Sequence, residues 1–266
     1  MSELDGGSDQ AAGLRRLFGS PSAQVIAFAP GVADVKQGAF LARTATMLAG
    51  MGQGVAVVDE NGGSDGPLAS LGVAEGHDLF QALTGECTVR QTMVHVAPLL
   101  RAASARRAAR VMERGEYGLS ERYAAFLAEA KRDAAYVLIN CARRAKGASL
   151  SPLAIDARHV VVVTTAAAAS ITAAYALIKR IVGERGHGGL HLAVTGASDE
   201  GEARVVFANM QRVARDHLGV TIDYLGYGRE HLAHGLTRHL PPGVESPTRN
   251  PLPLPRQAVA ARDSVI

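Results

Sequence analysis

Tryptophan is absent, and aromatic residues make up only 5% of the 266-residue chain. A core without large aromatics must be built from many small aliphatic groups, and Ala and Val dominate the 47% of hydrophobic residues. That composition suits a parallel sheet of Val/Ile strands covered by Ala-rich helices. Cysteine occurs only at Cys87 and Cys141, far apart in sequence, which excludes a disulfide framework and any zinc-ligand spacing. No apolar run approaches the ~20 residues of a membrane-crossing helix, and the N-terminus lacks the apolar region of a signal peptide. An excess of one charge is also missing. The formal charge is +3 and the pI near 9.0, which is mildly basic and no nucleic-acid signature by itself, so direct nucleic-acid binding is not expected. There is no internal repeat, and the chain reads as cytosolic. Its length, with a mean hydropathy of +0.07, suffices for one α/β core with appendages.

Three regions follow from local composition. Residues 1–20 form a Gly-, Ser- and acid-rich leader and a short helix, which Ser8 or Asp9 can cap. Ala11, Leu14, Leu17 and Phe18 lie along one side of that helix. Residues 21–240 hold the α/β domain, and residues 241–266 are a Pro-rich tail expected to be extended or disordered. Within the domain, strands are expected at Val25–Phe28, Val55–Asp59, near Val94–Pro98, and at Tyr136–Asn140, His159–Thr164, Leu190–Val194 and Thr221–Leu225. Helices are expected at Gln37–Leu48, Asp78–Leu83, Val89–His95, Arg101–Arg114, Ser120–Lys131, Ser170–Val182, Glu200–His217 and Arg229–Leu240. The alternation means a doubly wound, mostly parallel sheet with helices on both faces and any ligand at the carboxyl ends of the strands.

The stretch VIAFAPGVADVKQG, Val25 to Gly38, is strand, turn and helix start, the setting of a phosphate-binding loop. A working loop of this type reads G-K-G-G-x-G-K-[ST]. Its backbone N–H groups cradle the phosphates, a Lys neutralises them and a hydroxyl holds Mg²⁺. Aligned on Gly31, this chain has Val32, Ala33, Asp34, Val35, Lys36, Gln37 and Gly38 instead. The context is present and the ligands are not.

Four stretches together resemble the MinD/ParA branch of P-loop ATPases, and within it the FlhG (FleN, YlxH) regulators of flagellar number. They are DQAAGLR from Asp9 to Arg15, VVVTTAAAASITAAYALIK from Val161 to Lys179, EARVVFANMQRVARDHLGVTIDYLGY from Glu202 to Tyr227, and the strand pair Val25–Phe28 and Val55–Asp59. The resemblance spans Asp9 to about Leu240 and implies a MinD-like P-loop fold. It places Gln37 at the loop Lys, Gly38 at the Mg²⁺-binding Thr or Ser, and Val32 at the signature Lys. Lys36 falls at a Gly whose positive φ would cost a residue with a side chain roughly 1–2 kcal/mol. Asp59 matches the first switch Asp, while Asn61 replaces the second. Asn140 stands at the Walker-B Asp and cannot supply its charge. Thr195 stands at the base-contacting Asn. Losses at the phosphate, metal, water and base positions together imply a pseudo-ATPase without a cofactor. The alternative is residual ATP or ADP binding by Asp59, Lys36 and the turn N–H groups, without cleavage.

The resemblance also implies a partner. In the family the N-terminal segment docks on FlhF, a signal-recognition-type GTPase, and stimulates it. Gln10, beside Asp9, would then act at the partner's active site by orienting the attacking water, with Leu14 and Leu17 as apolar anchors and Arg15 on an acidic rim. The expected place is the cytoplasm, with recruitment to the pole or flagellar base through partners. Two other functions stand beside this one: an active MinD-type ATP-dependent membrane-associated switch, and a scaffold for flagellar switch-complex proteins or a flagellar transcription regulator. Arg101, Arg106, Arg107 and Arg110 suggest a basic face for an anionic partner surface, although such a run is ordinarily a solvated helix side. His231, His234 and His239 lack a carboxylate or Cys to complete a zinc set. Pro247, Pro251, Pro253 and Pro255 would break a membrane-binding C-terminal helix.

Overall fold

Runs of Val, Ile and Ala bounded by turn residues become the strands of one sheet. They are β1 (Gln24–Pro30), β2 (Val55–Asp59), β3 (Val94–Ala97), β4 (Leu100–Ser104), β5 (Tyr136–Asn140), β6 (His159–Thr165), β7 (Leu190–Thr195) and β8 (Asp223–Tyr227). Their spatial order is β3-β4-β2-β5-β1-β6-β7-β8, and every pairing is parallel except that of β3 with β4. The computed structural model describes residues 23–31, 36–74, 76–112, 120–142, 144, 148–155, 157–186 and 188–243. Among these, the helices are α1 (Gln37–Gly50), α2 (Pro67–Ser70), α3 (Leu79–Thr84), α4 (Val89–Thr92), α5 (Arg106–Met112), α6 (Ser120–Lys131), α7 (Ala168–Arg185), α8 (Glu200–Leu218) and α9 (Gly228–His239).

The strands have period two and feed two cores. Ile26 and Phe28 of β1 face one side with Leu41 and Leu48 of α1 and Leu232 and Leu236 of α9. Ala27 and Ala29 face the other with side chains of α3, α6, α7 and α8, among them Phe126 and Ile178. Both layers are buried, and each fully buried Leu, Ile or Phe contributes about 1.5–3 kcal/mol relative to exposure. The register matters for the site. Phe28 is opposite both Asn140 and Val161, and Asp59 is opposite Asn140, so these residues stand at one level on neighbouring strands.

Two expectations about local structure need correction. The segment expected to be helical from Arg101 splits into strand β4 and helix α5. Leu-Arg-Ala-Ala-Ser is rich in helix formers, but β4 lies between β2 and β3, and its ladder hydrogen bonds and buried Leu100, Ala102 and Ala103 override that propensity. Arg101 therefore leaves the basic face. Its guanidinium ties to the carbonyls of Glu129, Ala130 and Arg132, closing the C-terminal end of α6. The helix expected over Val89–His95 stops at Thr92, because Met93 turns to an extended backbone (ψ 108°) and β3 begins at Val94. Asp78 caps α3 in a reciprocal box with Gln81. Its carboxylate also accepts hydrogen bonds from Ser104 Oγ, Arg107 N and Ala108 N, which pins the start of α5 to the start of α3.

Candidate functional site

At the carboxyl ends of β1, β2 and β5 three side chains form one hydrogen-bonded chain. Gln37, the first residue of α1, donates from Nε2 to Phe28 O (2.8 Å) and to Asn140 Oδ1 (2.8 Å). Asn140 donates from Nδ2 to Asp59 Oδ1 (2.8 Å). All three are buried, Asp59 at 0% exposure. Asn61 extends the chain sideways: its N–H donates to Asp59 Oδ1 (3.0 Å) and its Nδ2 to Cys141 O (3.0 Å). Two acceptors at the ends of this chain, Gln37 Oε1 and Asp59 Oδ2, are buried without a hydrogen-bond partner. Burial pushes the Asp59 carboxyl above the usual carboxylate range, against the pull of the Asn140 hydrogen bond and of the Gly62, Asn61 and Leu68 N–H groups.

The backbone after β2 covers this chain. A Cβ added at Gly38 would overlap the Asp65 carbonyl oxygen and stand 2.7 Å from the Gly66 carbonyl carbon. One added at Gly66 would run into Asp59 Oδ2. The Asp65–Gly66 backbone thus fills the space where a Ser or Thr at position 38 would project, and both positions need glycine for that close approach. A magnesium nucleotide does not fit this arrangement. The amide that replaces a loop Lys is neutral and already donates twice, no hydroxyl is present at Gly38, and Asn140 offers no negative charge.

The other residues expected in the site are more scattered. Gly31 donates its N–H to Val163 O (3.2 Å) and lies against Ala174 of α7. Lys36 precedes α1 with its side chain exposed and φ −66°, ψ 56°, so the strain expected of a positive φ is not incurred. Thr195 ends β7 and reaches only Thr164 O (3.4 Å), two strands away from β1. Val32 and the whole set Asp9, Gln10, Leu14, Arg15 and Leu17 lie outside the described residues, as does the tail from Val244. Arg106, Arg107 and Arg110 are exposed on α5. His231 stacks on Tyr227, His234 Nδ1 donates to Glu230 O, and among the described residues no three metal-type ligands gather. One participant went unpredicted. Glu60 is buried and accepts from Ala142 N (3.0 Å) and from Ser151 Oγ, tying the loop after β2 to the loop after β5. The buried Cys141 beside it has its thiol pushed well up by burial and then by the Glu60 charge, so it is an unreactive thiol.

This geometry, a central parallel strand and the helix that follows it at the carboxyl edge of a doubly wound sheet, matches a P-loop NTPase architecture. Comparison with solved structures makes the kinship of fold specific. MinD cell division protein of Aquifex aeolicus superposes with a TM-score of 0.61 at 16% identity, over 86% of this chain and 100% of that one. The Pyrococcus furiosus cell division ATPase MinD gives 0.53 at 14% identity, over 80% and 88%. A plasmid partition protein from Borrelia burgdorferi gives 0.56 at 13% identity, over 77% and 89%. The fold is therefore that of the MinD/ParA P-loop ATPases. By sequence alone, neither a protein family nor a curated protein matches the chain.

Proposed function

We propose that this chain is an FlhG-like pseudo-ATPase that regulates flagellar number and placement by stimulating an FlhF-like GTPase. The observation that carries the first half is the closed chain Gln37–Asn140–Asp59, roofed by Asp65 and Gly66, in which neutral amides occupy the places of an ammonium and a carboxylate. A domain of this fold that holds no nucleotide is a platform for other proteins. The second half rests on the DQAAGLR segment, with Gln10 as the group that acts on the partner's attacking water. Recruitment to the pole or flagellar base follows from such partners. Among the described residues no helix is long and apolar enough to cross a membrane.

Two measurements test the two halves separately. Calorimetric titration of the full chain with ATP and Mg²⁺ should give no saturable heat, and micromolar binding would overturn the pseudo-ATPase. The GTPase rate of an FlhF-like protein should rise on adding the chain and lose that rise with Gln10→Ala. Equal stimulation by the variant would remove the activator role and favour a scaffold for switch-complex or transcription-regulator proteins.

A further inference from the structure

Beside the closed nucleotide site lies a second cavity, on the far side of the loop after β2. It has a volume of about 460 Å³, within the range of small-molecule sites, and its lining includes Asp59, Ser64, Gln81, Ser104, Arg106 and Arg107. Its formal charges balance, two carboxylates against two guanidiniums, but Asp59 and Asp78 are buried while Arg106 and Arg107 are exposed. Asp78 also lines the cavity, but its two oxygens already accept from Phe80 N, Ala108 N, Ser104 Oγ and Arg107 N. The Arg106 and Arg107 guanidiniums have no carboxylate partner among the described residues. Both are held in place by their stems and planes. Arg106 Cδ stands 2.7 Å from where a Cβ on Gly62 would be, so its stem lies against the loop at a glycine. The Arg107 guanidinium sits over the Phe80 ring, 4.8 Å from its centre. Gln81 uses Oε1 to accept from Asp78 N, which leaves its Nε2 as a further donor in the wall.

From these donors we infer that the cavity is a binding site for a small organic phosphate. Its phosphate would sit between Arg106 and Arg107, with Gln81 Nε2 as a third donor. Guanidiniums favour this anion because each presents paired N–H groups that match phosphate oxygens. The inference does not depend on the partner proposed above. It makes the chain responsive to a metabolite at a place distinct from the P-loop position.

The test is calorimetry on the full chain with adenosine monophosphate, glucose 6-phosphate, inorganic phosphate and citrate as probes. At least one phosphate ester should bind with micromolar affinity and more tightly than inorganic phosphate. Arg106→Gln and Arg107→Gln should each weaken it about tenfold or more, while Gln37→Ala, in the closed site, leaves it within about twofold. Arg106→Gln keeps the test decisive if loss of the Phe80 contact unfolds the Arg107 variant. No saturable binding of either ester, affinity untouched by Arg106→Gln, or a preference for citrate would each overturn the assignment.

Discussion

Replacing Asn140 with Asp puts a carboxylate oxygen where Asn140 Nδ2 now donates to Asp59 Oδ1 at 2.8 Å. Two carboxylates at that distance cannot both ionise, so one keeps a proton. Holding a proton about 3 pH units above an ordinary carboxyl pKa costs about 4 kcal/mol at most. Asn140→Asp should therefore destabilise the fold by about 2–4 kcal/mol at pH 7, or roughly 4–16 °C in melting temperature for a domain of this size. The sign with pH follows from the shared proton. The folded pair binds one proton that the unfolded chain has released, so the lost stability returns as pH falls through the folded pKa and is fully back below the unfolded carboxyl value near ~4. Adding Gln37→Lys supplies an ammonium at the place where Nε2 now meets position 140, and the double variant should recover about 1–3 kcal/mol of the summed single losses. Thermal and urea unfolding of the four proteins at pH 7 and pH 5 measures the cycle. Refutation would be an Asn140→Asp protein within about 0.5 kcal/mol of the parent, or a coupling of zero, since either means that these side chains are not a packed unit.

Two further outcomes follow from contacts away from this chain. Asp78→Ala removes the cap of α3 and the link to α5, so urea unfolding should show a loss of about 2–4 kcal/mol; a loss under about 1 kcal/mol would mean that the four hydrogen bonds are not cooperative. His159 and His191 form a pair at 3.0 Å between Nδ1 and Nε2, with Asp223 Oδ2 3.6 Å from His191 Nδ1. Burial, then Arg158 and Arg185, push His159 down to about 4; burial, then His159 and His239, push His191 down to about 3. Folded-state values this low mean the unfolded chain binds more protons, so stability from the pair is full above pH 6.5 and falls as pH drops from there through the folded values. His191→Gln should flatten the decline of the urea midpoint between pH 7 and pH 4, and an unchanged slope would assign the acid sensitivity to other groups.

Much of the fold was legible because hydrophobic runs report burial directly. VAVVD, YVLIN and the amphipathic segment Ser120–Lys131 form elements with the expected bounds. Strand β4 was not legible, since Ala and Arg carry a helical preference and only its two neighbours make it a strand. Gln37, Gly38, Asp59 and Asn140 could be singled out in the sequence, but not what they do to one another. Their contact depends on the register that sets Phe28, Asn140 and Asp59 at one level. The roof at Asp65 and Gly66 is a backbone event, which side-chain chemistry does not announce. Neither does Glu60, whose burial at the end of β2 comes from the loop that folds over it.

The two amides at the centre of this site fit each other. With Gln37 alone changed, an Asp at 140 would face Asp59 with no cation between them, and two carboxylates would be buried 2.8 Å apart. With Asn140 alone changed, a Lys at 37 would point its ammonium at an amide oxygen and a carbonyl, with its charge balanced only at one remove by Asp59. The amide pair avoids both. Gln37 donates, Asn140 accepts on one side and donates on the other, and Asp59 is the one acid of the three. The sheet asks nothing of these side chains, because its register is held by the apolar layers on both faces. Side chains at the carboxyl edge of such a frame can join in a closed hydrogen-bonded chain while the fold stays unchanged.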